Sequence, residues 1–235
     1  MLLKLDDRPV IKWVTDRAAK MEGVQEVMVA TSTVPEDDAL AEFCRSEHIP
    51  VFRGSQNDVL DRYVQAARQV RADVVVRLTG DCPFLDPAES ARVVKAFLSQ
   101  TACDYACNID PPFLPDGLDT EVIGLDCLIR IGKQARELPY REHVTLYIRQ
   151  HPGDFKIARV TGHEDLSSIR LTLDQAEDYR LLSEVAAQLK QRRQFGHLHE
   201  IMAVLRDHPE ILQMNRHIQR NEGLQKSLES HPLQS

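Results

Sequence analysis

Asp73-Val-Val-Val-Arg-Leu-Thr-Gly-Asp-Cys-Pro-Phe-Leu-Asp-Pro87 sets the architecture of this chain. The β-branched run Val74 to Val76 is too short for a helix and suits a strand covered on both faces, as in a parallel sheet. Gly80 lets the backbone turn, and Pro83 and Pro87 stop the strand and start the next helix. Asp81 therefore falls just past the carboxyl end of a central strand, where open α/β sheets bind their ligands. A carboxylate there holds a metal or a polar substrate, or it caps the following helix. Asp86, directly before Pro87, is the better placed cap.

Working outward, helical and strand patterns alternate. Pro9 opens a helix with Val10, Ile11, Val14, Ala18 and Met21 on one face, and Glu26 to Thr31 reads as a strand. Pro35 followed by three acids starts a helix; Ile49 to Phe52 is a short strand and Asp58 to Val70 a helix. The succession predicts an α/β fold, a mostly parallel sheet with helices on both faces. No strand precedes the first helix. A doubly wound sheet without its first strand has two open strand edges, so either the sheet is rearranged or the chain as written starts late. After the turn-rich loop Asp110 to Gly117, a candidate substrate lid or plain connection, come a strand at Asp119 to Ile123 and helices near Asp126 to Ala135 and Arg141 to Arg149. Strands near Phe155 to Arg159 and Ile169 to Leu173 and a helix from Ala176 to Arg192 complete a domain over residues 1–194. Residues 195–235 read as a helical tail, whose Leu205, Ile211 and Leu212 suit either a homodimer surface or packing on the sheet.

The chain has 235 residues, 43% of them hydrophobic and 28% charged, enough for one α/β domain with a small appendage. A net charge of −7 argues against a general nucleic-acid binder but not against a nucleotide ligand held by local cations. The odd count of five cysteines, with no repeated CxxC, reads as reduced thiols in a cytoplasm. No apolar run reaches the roughly 18 residues of a membrane span, and Met1 to Asp7 lacks the apolar core of a signal peptide.

Asp174 is the natural partner of Asp81. Ile169 to Asp178 alternates and then starts a helix, again delivering an Asp at a strand's carboxyl end. If the fold joins the two, they form a hard-oxygen site suited to Mg²⁺. The alternative is that Asp174 caps the helix near Ala176, with Glu177 completing a capping box. Asp116, Asp119 and Glu121 cluster after the proline-rich loop, and Arg141-Glu142-His143 begins a helix whose dipole and Arg suit a substrate anion. Arg53 and Arg62 flank a turn before another helix. There is no GxGxxG, Walker loop, HExxH or GxSxG.

Val29-Ala-Thr-Ser32, Val51-Phe-Arg-Gly54, Asp58-Val-Leu-Asp-Arg-Tyr63, Arg77-Leu-Thr-Gly-Asp-Cys-Pro83, Pro115-Asp-Gly-Leu-Asp-Thr-Glu121, Arg141-Glu-His-Val-Thr145 and the tail Asn215 to Gly223 together resemble the cytidylyltransferase family, in the branch named for spore coat polysaccharide biosynthesis protein F. The resemblance runs in order over nearly the whole chain. It implies a Rossmann-like nucleotide-diphosphosugar transferase fold that uses CTP and Mg²⁺ to activate a sugar or sugar acid, with release of pyrophosphate. It further implies that Asp81 and Asp174 are catalytic metal ligands and that Arg62, Arg77 and Ser32 lie near the nucleotide. Asp116, Asp119, Glu121, Arg141, Glu142 and His143 fall on the sugar side. Family members begin with a strand and a basic loop that grips the triphosphate, and Met1 to Pro9 matches the region just after it. The resemblance thus implies an N-terminally truncated reading frame. Two other readings stay open, a catalytically silent sugar- or nucleotide-binding homologue and a glycosyltransferase using a finished nucleotide-sugar.

Overall fold

Helices and strands alternate much as expected in the computed structural model, which describes residues 1–233. A short hairpin of β1 (Lys4–Leu5) and β2 (Arg8–Pro9) leads into α1 (Val10–Ala18). Then come β3 (Val29–Ser32), α2 (Asp38–Ser46), β4 (Val51–Gly54), α3 (Val59–Gln69), β5 (Val74–Arg77) and α4 (Pro87–Ser99). Next are β6 (Tyr105–Cys107), β7 (Glu121–Gly124), α5 (Leu125–Gln134), α6 (Leu138–Glu142), α7 (Leu146–Gln150) and β8 (Ile157–Arg159). The chain closes with α8 (Ala176–Gln191), α9 (Leu198–Asp207) and α10 (Glu222–Ser230).

The strands form two larger sheets. β3 and β4 pair in parallel, and a second sheet has the order β5-β7-β6-β8. Within it β7 runs antiparallel to both β5 and β6, so the sheet is mixed where the alternation predicts parallel strands, while β6 and β8 are parallel. Ile11 of α1 packs against Val29, and Val14 joins Val74 and Val76 in a second cluster. On α3, Leu60 and Val64 cluster with Val75, and α3 also contacts β3 and β4. The same two helices therefore cover both sheets, yet no described strand pairs with the free edge of β3 or of β5. The hairpin of β1 and β2 stands before α1, where the sequence pattern offers no strand ahead of the first helix, but among the described residues it joins neither edge.

Ile169 to Leu173 does not form the expected strand. Its backbone bonds go to separate partners: Leu171 N donates to Asp116 O (2.7 Å), Asp116 N to Ile169 O (2.9 Å) and Leu173 N to Asp81 O (2.9 Å). Only one bridge, Asp116 to Arg170, results. Gly117 makes this close approach possible. Its φ is +104°, and a Cβ there would meet the Leu171 backbone at 2.7 Å.

The tail begins inside the main core. Ile201, Val204, Leu205 and Ile211 are buried with Leu5, Val10, Phe84, Leu181 and Leu182, and Leu212 packs against the same cluster. Arg17 fastens this region from α1. It is 2% exposed and donates to Leu85 O (3.2 Å), Gly196 O (3.0 Å) and Phe195 O (2.6 Å), with its guanidinium 4.4 Å from the Phe195 ring centre. Burial lowers its pKa to about 10, which still leaves it charged at neutral pH. Arg17→Ala strips three buried carbonyls of their donor and is expected to cost about 2 kcal/mol in urea unfolding. A loss below a few tenths would show that water replaces the guanidinium freely.

Candidate active site

Asp81 and Asp174 come together through the backbone. The bond from Leu173 N to Asp81 O places residue 174 beside the loop that follows β5, and Thr172 Oγ1 also donates to Asp81 O (3.5 Å). Asp174 is not the helix cap. Gln175 holds that position on α8, and Asp178 completes the capping box. The side chain of Asp174 is 48% exposed, and its carboxyl is raised by burial and by the nearby charge of Asp81. Asp86 caps α4 as expected, accepting from Ala88 N (2.8 Å), and it also receives Leu198 N (2.6 Å). Asp81 is thus left free of capping duty. Two neighbouring hard-oxygen side chains, near enough for the charge of one to raise the other, suit a divalent cation. The described residues contain no cluster of three or more metal-binding side chains.

Arg170 organises the acids around this pair. Its guanidinium, 7% exposed, donates to Asp116 Oδ2 (3.0 Å), Asp174 Oδ2 (2.6 Å) and Asp178 Oδ1 (2.9 Å). Asn215 of the tail donates to Asp178 Oδ1 (2.8 Å) and Arg170 O (3.1 Å). Burial would raise Asp178, but Arg170, Asn215 and two backbone N–H groups outweigh it and hold its carboxyl below the usual range. Asp116 goes the other way: burial raises it more than Arg220 and Arg170 lower it.

Glu121 lies deeper than a side chain open to a ligand. It is 2% exposed, and its carboxylate accepts from Arg77, the Tyr105 hydroxyl and Thr145 Oγ1. Burial pushes its pKa up, but Arg77 and Arg149 overcome this and the group stays below its ordinary value. Glu121 therefore orients Arg77. Burial lowers His143 most; Glu142 opposes it more strongly than Arg77 or Arg149 alone assists, and the net shift is below the ordinary imidazole value. The buried nitrogens Arg77 Nε, Arg149 Nε and His143 Nε2 have no hydrogen-bond partner.

Arg141-Glu142-His143 corrects an expectation. The segment ends α6, so it meets no positive helix terminus. Arg141 is a strut, donating from Nε (3.0 Å) and Nη2 (2.7 Å) to Asp58, the cap of α3, and from Nη1 to Gly132 O (2.8 Å). Ser32 is likewise engaged in its own turn, its N–H donating to Asp37 Oδ2 (2.9 Å). Arg62 stands at the carboxyl end of β4, where Nη1 donates to Ser55 O (3.2 Å). Glu142 is exposed and accepts from Ser227 Oγ (2.8 Å), and Asp119 pairs with Arg220. Sequence reasoning missed Arg170, Asp178 and Arg149 as members of the site. For Arg170 and Asp178 a signal existed, the spacing Arg170, Asp174, Asp178, which puts an Arg four and eight residues before two acids.

Fold and site together have the layout of a nucleotidyltransferase, an α/β sheet with a carboxylate pair at its carboxyl edge and arginines around it. Residues 1–221 match the cytidylyltransferase family, and the chain belongs to it. It is 37% identical over 187 residues to an uncharacterized protein of Methanocaldococcus jannaschii, covering 79% of this chain and 75% of that one. It is 39% identical over 156 residues to spore coat polysaccharide biosynthesis protein SpsF of Bacillus subtilis, covering 65% of this chain and 63% of that protein. Among solved structures, a cytidylyltransferase from Leptospira borgpetersenii superposes with a TM-score of 0.84 at 28% identity, over 90% of this chain and 89% of that one. The CTP complex of CMP:2-keto-3-deoxy-manno-octonic acid synthetase shares the fold, with a TM-score of 0.58 at 16% identity over 81% and 91% of the two chains. No described helix is long and apolar enough to cross a membrane.

Proposed function

We propose that this chain transfers the cytidylyl group of CTP to a hydroxyl of a sugar or sugar acid, feeding surface polysaccharide or glycan synthesis. The observation that carries the reading is the convergence of Asp81 and Asp174 at the carboxyl edge of β5, in a chain of this family. The acceptor oxygen bonds to the α-phosphorus as its hydroxyl proton passes to solvent, the bond from that phosphorus to the bridging oxygen breaks, and pyrophosphate leaves. Such transfers need positioning and charge neutralisation more than covalent help. Asp81 and Asp174 would hold Mg²⁺, which would supply Lewis-acid chemistry for the phosphate oxygens. Arg62 and Arg77 provide cationic donors on the nucleotide side of this otherwise acidic chain, and Glu121 fixes Arg77. Asp116 and Asp119 offer acceptors for the hydroxyls of the second substrate.

The test is pyrophosphate release from CTP and Mg²⁺ with a panel of sugars that includes 3-deoxy-manno-octulosonate and sialic acid. Release dependent on one acceptor is the expected result. Nucleotide binding with no release across the panel would mark a binding homologue, and release of a nucleoside diphosphate from a nucleotide-sugar would mark a glycosyltransferase.

A further inference from the structure

The tail reaches several acids around the proposed acceptor side, directly or through Arg170. Asn215 holds Asp178 and the Arg170 backbone, and through Arg170 the carboxylate of Asp116. Arg220 then reaches two more groups at once. Its Nη1 donates to Leu114 O of the proline-rich loop (2.9 Å), and its Nη2 donates to Asp119 Oδ1. Further along, Gln175 Nε2 donates to Glu222 (3.4 Å) and Ser227 Oγ to Glu142 (2.8 Å). Leu224 and Leu228 of α10 rest on the cluster that contains Val144 and Tyr140, but no residue of α10 is itself buried. The tail is thus fixed mainly through Asn215 and Arg220, with α10 lying lightly beyond them.

Arg220 is well suited to its task. A planar guanidinium can donate to a carbonyl and a carboxylate in one plane, which an ammonium cannot match. Its side chain is only 15% exposed, so the pair with Asp119 is partly shielded from water. The other ionisable groups that weigh most on Asp119 are acidic, Asp116 from the loop and Glu121 from β7, and the Cys82 thiol after β5 also lies near it. Without Arg220, Asp119 would lose its ion-pair partner and keep the like charges of Asp116 and Glu121.

We propose that Arg220 is a positioning residue for the acceptor side of the cleft, fixing Asp119 and the Leu114 carbonyl so that Asp119 meets the second substrate as an oriented, ionised hydrogen-bond acceptor. The word acceptor rests on the cytidylyl-transfer reading above, but the contact does not. Burial pushes Asp119 up to about 6, and Arg220 is the strongest influence holding it down. Losing Arg220 therefore shifts Asp119 further up, toward the protonated form that offers a donor in place of an acceptor.

The experiment uses the full chain with Arg220→Gln and Arg220→Lys. Titration of ¹³C-labelled aspartate carboxyls by NMR is expected to find the Asp119 midpoint raised by about one unit or more in Arg220→Gln and partly restored in Arg220→Lys. Calorimetry with CTP and Mg²⁺ is expected to give affinities within about twofold of the parent, since Arg220 donates to Leu114 and Asp119 and to neither Asp81 nor Asp174. An unmoved Asp119 midpoint in a folded Arg220→Gln chain overturns the proposal. So does a CTP affinity that falls about tenfold, which would place Arg220 on the nucleotide side. If the parent binds no CTP at all, the cytidylyl-transfer reading fails, and the Asp119 titration still decides the role of Arg220.

Discussion

Asp81→Ala is expected to reduce acceptor-dependent pyrophosphate release at least about 100-fold, as when transition-state charge loses a fixed stabiliser. The structure makes this a clean experiment. What Asp81 contributes to the fold passes through its backbone carbonyl, which receives Leu173 N and Thr172 Oγ1. Among the described residues its carboxylate accepts a hydrogen bond only from the Cys82 thiol, at 3.3 Å. The variant should therefore unfold at the parent's urea midpoint while losing turnover. Asp81→Asn keeps the shape and removes the charge, and should fail almost as badly if the charge is what matters. Asp174→Asn should lose activity too. If both side chains hold one ion, the double variant will be little worse than either single one, because residues acting as a unit are not additive. Turnover within a few fold of the parent in Asp81→Asn would remove the metal assignment.

Much of the fold was legible, and the reasons are local. Val74 to Val76 had to be a strand, and Asp86 before Pro87 had to be a cap, because propensity and capping chemistry act over a few residues. The antiparallel course of β7 was not legible. Its pairing with β5 and β6 is a long-range choice that no alternation of helix and strand encodes. Ile169 to Leu173 misled for a related reason. Its alternation is real, since Leu171 is buried and Arg170 reaches inward to acids, but its backbone serves a loop instead of a ladder. At the site, Asp81 and Asp174 could be named because each ends a strand-like run ahead of a helix. Arg141 shows the limit of such reasoning. A cation near a cluster of acids looks like a ligand group until its partner, Asp58 on another helix, is known. Arg220 was visible only as part of the resembling tail, because what it binds lies about a hundred residues away.

Arg170→Met tests how far fold and site share one support. The side chain is removed from a place where Asp178 is fully buried and Asp116 nearly so. Taking one partner from a buried ionic network leaves uncompensated charge, which typically costs about 3–5 kcal/mol. The loss should carry a distinct pH signature. In the parent, Asp178 titrates below the usual carboxylate range. Its stabilisation is complete above the unfolded value of about 4 and fades as the pH falls through the lower folded value. Without Arg170, burial dominates and Asp178 moves above the unfolded value, so its ionised form weakens the fold at neutral pH and protonation relieves the cost. The difference in urea stability between parent and variant should be widest at pH 7 and shrink as the pH approaches 4. A variant as stable as the parent at pH 7, or a gap that widens on acidification, would show that Asn215 and the backbone N–H groups of Asp174 and Gln175 satisfy Asp178 without the arginine. Because the same guanidinium holds Asp174, the variant should also lose metal-dependent turnover under conditions where it remains folded. Stability and catalysis then meet in one side chain, the one that spans the loop at Asp116, the site at Asp174 and the start of α8 at Asp178.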